Sequence, residues 1–213
     1  MKKIKGGVTA AKGFEAASAA AGIKYQGRTD MALVYSQKPC EAAGTFTTNV
    51  VKAAPVKWDK KVVESNAKPQ VIVINSGIAN ACTGDAGMEC CKEVAKEVAK
   101  VLETETESVL IGSTGVIGVQ LPVEKMKNGV HLLAKEKADG LEMGNLAAKA
   151  IMTTDTKEKE AAVTIEMDGT IVTIGGMAKG SGMIHPNMCT MLAFITTDAV
   201  ISKEALQAAL SSD

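Results

Sequence analysis

An α/β or α+β layered sandwich is the fold class this sequence predicts, on three observations. The run VIVIN at 71–75 is short, continuous and β-branched, as in a strand buried on both faces. An amphipathic helix follows it over 87–103. Two apolar runs, 162–167 and 170–174, flank Asp168-Gly169, the dipeptide of a two-residue hairpin turn. Strands and helices alternate, but the hairpin and the uneven spacing break the βαβ period of a doubly wound sheet.

Taken in order, the first 50 residues are rich in Gly, Ala and Thr, with strands expected at 31–35 and near 44–48. After VIVIN, the groups Asn75-Ser76-Gly77, Asn80 and Thr83-Gly84-Asp85 read as a loop. The helix that follows has an apolar face of Val94, Ala95, Val98, Ala99, Val101 and Leu102, with Glu97 and Lys100 as a supporting pair. A short strand at 108–111 runs into the glycine-punctuated segment 112–118. Pro122 suits the first turn of another helix. A helix over 141–152 leads to Thr153-Thr154-Asp155-Thr156. Beyond the hairpin, 191–195 reads as a buried strand, and Ser202 caps a helix over 203–210.

Composition narrows the function. Hydrophobic residues make up 46%, which describes a globular chain, and aromatics only 3%, so the core is aliphatic and leans on 11 Met. With 24 basic against 24 acidic residues, there is no electrostatic case for nucleic acid or an anionic membrane. Lys12, Glu15 and Lys24 interrupt the alanine-rich start, so it does not read as a signal peptide. No apolar run is long enough to span a bilayer. Five cysteines, Cys40, Cys82, Cys90, Cys91 and Cys189, lack any Cys/His ligand spacing and fit free thiols in a reducing cytoplasm.

Several segments admit a chemical and a structural reading. Segment 112–118 matches neither phosphate-loop spacing. It is either a tight turn or a bend that offers the Thr114 hydroxyl and a backbone N–H to a developing oxyanion. The Thr153–Thr156 cluster either hydrogen-bonds a helix end or grips an amino-acid substrate. Lys179, in a glycine-rich loop with Gly180, Ser181 and Gly182, is either solvated or a cation for a substrate carboxylate. Thr190 either packs as a β-branched residue or is a latent nucleophile. Its hydroxyl gains a base if the Cys189–Thr190 bond is cut, because the new α-amine takes the proton. Such a threonine needs no histidine, so His185 before Pro186 reads as a turn residue. His131 reads as solvated and Cys189 as no nucleophile. Cys90 and Cys91 read as pointing to different faces of their helix, and Asp85 and Asp155 as isolated carboxylates.

GTFTTN at 44–49, NSGIANACTG at 75–84, STGVIG at 113–118, MTTDT at 152–156 and the stretch 179–199 together resemble the ornithine acetyltransferase family. These are the bifunctional glutamate N-acetyltransferases of cyclic arginine biosynthesis. The resemblance runs over nearly the whole chain and implies a layered αββα-like sandwich shared with self-processing aminopeptidases. It implies a precursor that cleaves itself between Cys189 and Thr190, with Thr190 as acyl-carrying nucleophile and Thr114 and Gly115 as the oxyanion pair. Thr153, Lys179 and Thr190 fall on substrate contacts, Thr153 being preferred to Thr154 on spacing. The implied partners are N2-acetylornithine, glutamate and the C-terminal β-chain of the same precursor, in a homo-oligomer of such units, with no metal or bound cofactor. Acetyl-coenzyme A stays open as a second donor. On this reading residues 1–213 are one catalytic domain, 1–189 from the first chain and 190–213 a truncated start of the second. Two departures stand out: Cys189 where alanine is more usual, and no proline after the threonine cluster. A self-processing aminopeptidase or amidase of the same fold, or an inactive uncleaved fragment, are the competing readings.

Overall fold

The computed structural model describes residues 1–181 and 191–212. In chain order the elements are β1 (Lys2–Ile4), β2 (Phe14–Ala19), β3 (Met31–Ser36), α1 (Ala54–Glu64), β4 (Val71–Ile78), α2 (Gly84–Leu102), β5 (Val109–Val116) and α3 (Val123–Glu136). They are followed by α4 (Leu141–Ala150), β6 (Lys159–Met167), β7 (Thr170–Lys179), β8 (Leu192–Thr197) and α5 (Lys203–Ser211). Two four-stranded sheets result, ordered β2-β3-β4-β5 and β1-β6-β7-β8. Among the described residues β4 and β5 pair in parallel, and the other strand pairs are antiparallel.

Side-chain alternation explains why the first sheet is buried twice over. Leu33 on β3 and Val71 and Val73 on β4 face a core built with α2 and α3. Their neighbours Ala32, Val34 and Ile74 face a second core with α4, Met177 of β7 and Phe194 of β8. The second core is the seam between the sheets. On β7 the inward residues are Thr173, Gly175, Met177 and Lys179, in strict period two. The outer face of that sheet carries an apolar group in the open: Ile195, the register partner of Gly176, is 58% exposed.

Most expected elements form, several with shifted ends. The hairpin is as read, with Asp168 and Gly169 both at positive φ as its turn type demands. Ser202 accepts the Ala205 N–H and caps α5. Three expectations are corrected. No strand forms near 44–48, because these residues are exposed or half-buried, and β-propensity is realised only against a surface to pack on. Residues 76–78 extend β4 and 112–116 extend β5, since the parallel ladder runs in register as far as Ile78 and Val116. Cys90 and Cys91 share one core, and burial pushes their thiols up to about 11 and about 12, so both stay protonated.

Three elements escaped the sequence reading, the three-residue β1 among them. The β2 strand is masked by its alanines, which let α3 and α4 approach closely. The lysine-rich α1 buries only Ala54, Pro55, Val62 and Val63, so its apolar stripe is thin. It is held instead by the edge strand β5: Trp58 Nε1 donates to the Val109 carbonyl at 2.9 Å and Asp59 Oδ1 accepts the Ile111 N–H at 2.8 Å. A helix thereby closes an exposed sheet edge.

Candidate active site

Both sheets contribute to one pocket of about 320 Å³, lined by Ser76, Gly77, Thr114, Gly115, Thr153, Lys179, Ser181 and the 24–30 loop, among others. From the first sheet come β4 and β5, with Ser76 opposite Thr114 and Gly77 opposite Gly115. A side chain at Gly115 would lie 2.2 Å from the Gly77 carbonyl carbon, and φ there is +136°. Only glycine satisfies both conditions, so the strand pair is pinched at the pocket.

From the second sheet comes Lys179, last residue of β7. It is not the solvated loop lysine that abundance favours. The residue is 2% exposed, because the inward face of β7 carries it into the seam two positions beyond Met177. Its ammonium donates to Thr153 Oγ1 at 2.7 Å and to Thr114 Oγ1 at 3.1 Å. Burial pushes the Lys179 amine down, Asp155 opposes this, and Lys159 adds to it.

Asp155 is not isolated, as the sequence suggested. Its carboxylate is fully enclosed, lies 3.9 Å from Lys179 Nζ and pairs with Lys159 at 2.5 Å. It also accepts the Gly180 N–H at 2.7 Å and the Thr153 N–H at 3.4 Å. Burial alone would raise the Asp155 carboxyl, but the Lys159 ammonium and the two backbone N–H groups outweigh it and hold it at about 2. Sequence spacing missed this hub because, Thr153 and Lys159 apart, its partners lie 24 and 25 residues away and meet it only at the end of a sheet. Thr154 turns elsewhere, to Ser181 Oγ at 3.0 Å, which favours Thr153 as the group facing Lys179.

The loop between β2 and β3 closes one side. Asp30, buried, accepts the Ala21 and Ile23 N–H groups at 2.8 and 2.6 Å and so shapes the loop. Arg28 donates to the Met152 carbonyl, ahead of the threonine cluster. Ser76 Oγ donates to the Ala150 carbonyl at 2.8 Å and fastens the end of α4 to β4. His131 is exposed and paired with Glu97, remote in role from the pocket. Among the described residues no cluster of His, Cys, Asp and Glu could hold a metal ion. Cys189, Thr190 and His185 lie outside the described residues. Leu192, two positions after Thr190 in sequence, is the register partner of Lys179.

Two packed sheets with a hydroxyl-lined pocket at their junction place the chain in a known class of layered sandwich. An aminopeptidase and amidase from Ochrobactrum anthropi, described as a variant of the Ntn hydrolase fold, matches with a TM-score of 0.55. At 11% identity, over 98% of this chain and 67% of that one, the likeness is one of fold alone. The particular family follows from closer matches: the ArgJ family matches residues 15–213, and the chain belongs to it. It is 50% identical over 212 residues to the arginine biosynthesis bifunctional protein ArgJ of Symbiobacterium thermophilum, covering 99% of this chain and 52% of that protein. The ArgJ crystal structure from Bacillus halodurans is 39% identical with a TM-score of 0.83, covering 88% of this chain and 97% of that chain. The ornithine acetyltransferase of Mycobacterium tuberculosis, complexed with ornithine, is 44% identical with a TM-score of 0.81, covering 87% and 97%. The chain thus spans about half the length of the curated relatives it matches.

Proposed function

We propose that this chain supplies the nucleophile and the oxyanion pair of an acetyltransferase that moves an acetyl group from N2-acetylornithine to glutamate in arginine biosynthesis. The observation that carries the proposal is the buried Lys179, which joins Thr114 of one sheet to Thr153 of the threonine cluster. Thr190 Oγ, freed by cleavage after Cys189, attacks the acetyl carbonyl with its own α-amine as base. The Thr114 hydroxyl and the Gly115 N–H stabilise the oxygen that becomes negative, each worth about 2.7–4 kcal/mol. Ornithine leaves, and the amine of glutamate takes the acetyl group from the threonine ester, so no metal or bound cofactor enters the cycle. Thr153, Lys179 and Thr190 hold the substrate, and acetyl-coenzyme A is a second donor to test beside acetylornithine.

On this reading residues 1–189 and 190–213 belong to two chains of one precursor, acting in the cytoplasm as a homo-oligomer of paired chains. The second half, which the relatives carry, completes the site and covers the bare face of the β1-β6-β7-β8 sheet. The exposed Ile195 on that face supports this.

The test uses the complete precursor with acetylornithine and glutamate. Acetylglutamate should accumulate without free acetate. Release of acetate to water instead makes the enzyme an amidase and overturns the proposal. A Thr190→Ala variant should stay uncut by intact mass; cleavage at that bond in this variant removes Thr190 from the self-processing step.

A further inference from the structure

Asp155 stands one shell behind the groups that the proposed reaction uses, yet it touches every part of their support. Its carboxylate is enclosed between Lys159 on β6 and Lys179 on β7, and it fixes the Thr153 and Gly180 backbone on either side of the pocket. An ammonium has three donors and no acceptor, while a threonine hydroxyl has one proton and two lone pairs. Lys179, when charged, can therefore only donate to Thr114 Oγ1 and Thr153 Oγ1. Each hydroxyl must then point its own proton away from the lysine. For Thr114, which lines the pocket, this leaves the proton for a developing oxyanion. An uncharged Lys179 amine offers a lone pair, and Thr114 can donate to it, which withdraws that proton from the pocket.

We propose that Asp155 is a positioning residue for acyl transfer: it holds Lys179 as an ammonium fixed between Thr114 and Thr153, and so directs the Thr114 proton into the pocket. This rests on the acetyltransferase reading above. The charges around Lys179 make Asp155 decisive. Lys159 is a second cation on the same carboxylate, Lys24 and Arg28 line the same pocket, and Asp30, which also lines it, is engaged by the Ala21 and Ile23 N–H groups. Burial and Lys159 both favour loss of the Lys179 proton, and Asp155 opposes them. Removing the Asp155 charge leaves two neighbouring lysines with no anion between them.

The experiment compares kcat against pH for acetyl transfer in the complete precursor, for the parent protein, Asp155→Asn, Lys159→Gln, Lys179→Gln and the Asp155→Asn/Lys179→Gln pair. Maturation by intact mass and the circular dichroism of each variant are recorded alongside. Asp155→Asn should move the alkaline fall in kcat to lower pH, with kcat dropping about tenfold per pH unit above the new Lys179 titration. In the Lys179→Gln background Asp155→Asn should add almost nothing. Lys159→Gln, at a half-exposed position outside the core, should move the alkaline limb of the parent profile to higher pH. A loss in Asp155→Asn that is equal at every pH, or undiminished in the Lys179→Gln background, overturns the inference. Should Asp155→Asn fail to fold, an alkaline limb unmoved by Lys159→Gln overturns it instead. Absence of acetyl transfer in the parent protein overturns the acetyltransferase reading itself, a separate result.

Discussion

The two sheets of this protein are finished to different degrees. The β2-β3-β4-β5 sheet is packed on both faces, by α2 and α3 on one and by the seam with α4 and the second sheet on the other. Its β5 edge is closed by Trp58 and Asp59 of α1. The β1-β6-β7-β8 sheet buries only its inward face and leaves Ile195 open on the other. The pocket lies where the complete layer meets the incomplete one: Thr114 and Gly115 come from the first, Lys179 from the second. The enclosed layer holds Thr114 and Gly115, the proposed oxyanion pair, and the open layer carries Lys179 and leads in sequence towards Thr190, the proposed nucleophile.

The difference can be broken or sharpened by substitution. Leu33→Ala in the doubly covered sheet should cost about 2–5 kcal/mol, read from denaturant unfolding, because the residue is 1% exposed and leaves a cavity. A cost below about 1 kcal/mol would deny that this sheet is the rigid half. Thr114→Val keeps the shape and removes the hydroxyl. In the complete protein it should lower kcat about 10²–10³-fold with little change in the circular dichroism spectrum. Unchanged turnover removes Thr114 from the oxyanion role.

Two carboxyls give opposite pH signatures, one on each side of the comparison. Burial raises the Asp59 carboxyl to about 8, so its stabilising protonated form is fully present below about 4 and lost as pH rises through about 8. Asp155, held at about 2, does the reverse: its contribution is present above about 4 and lost as pH falls through about 2. The Tm of the parent protein should therefore decline between pH 5 and 8 relative to Asp59→Asn, and the two curves should converge towards pH 4. Parallel curves would show that Asp59 ionises normally. The smallest effect belongs to the bare face: Ile195→Ala should change the stability of this chain by less than about 0.5 kcal/mol. In the complete protein the same change should cost more than about 1 kcal/mol if the second half covers the face.

What the sequence disclosed follows this physics. Strict local signals were readable: the VIVIN run, the Asp168-Gly169 turn and the Ser202 cap all depend on neighbours a few residues apart. The α1 helix was hidden because its hold on β5 comes from Trp58 and Asp59 rather than from an apolar stripe. Thr114, Gly115, Thr153 and Lys179 were found as candidates, and the fold brings all four to one pocket. Asp155 was passed over because its meaning lies in Lys179 and Gly180, which only the sheet brings near it. The Gly44–Thr48 stretch misled for the complementary reason, since strand-forming residues with no surface to pack on do not make a strand.

The most direct test of the account is the mass of the complete, mature protein trapped during turnover with acetylornithine, followed by peptide mapping. An increment of about 42 Da on the peptide that begins with Thr190 is the expected result. The same increment on any other side chain, in a protein that still transfers acetyl groups, would contradict it.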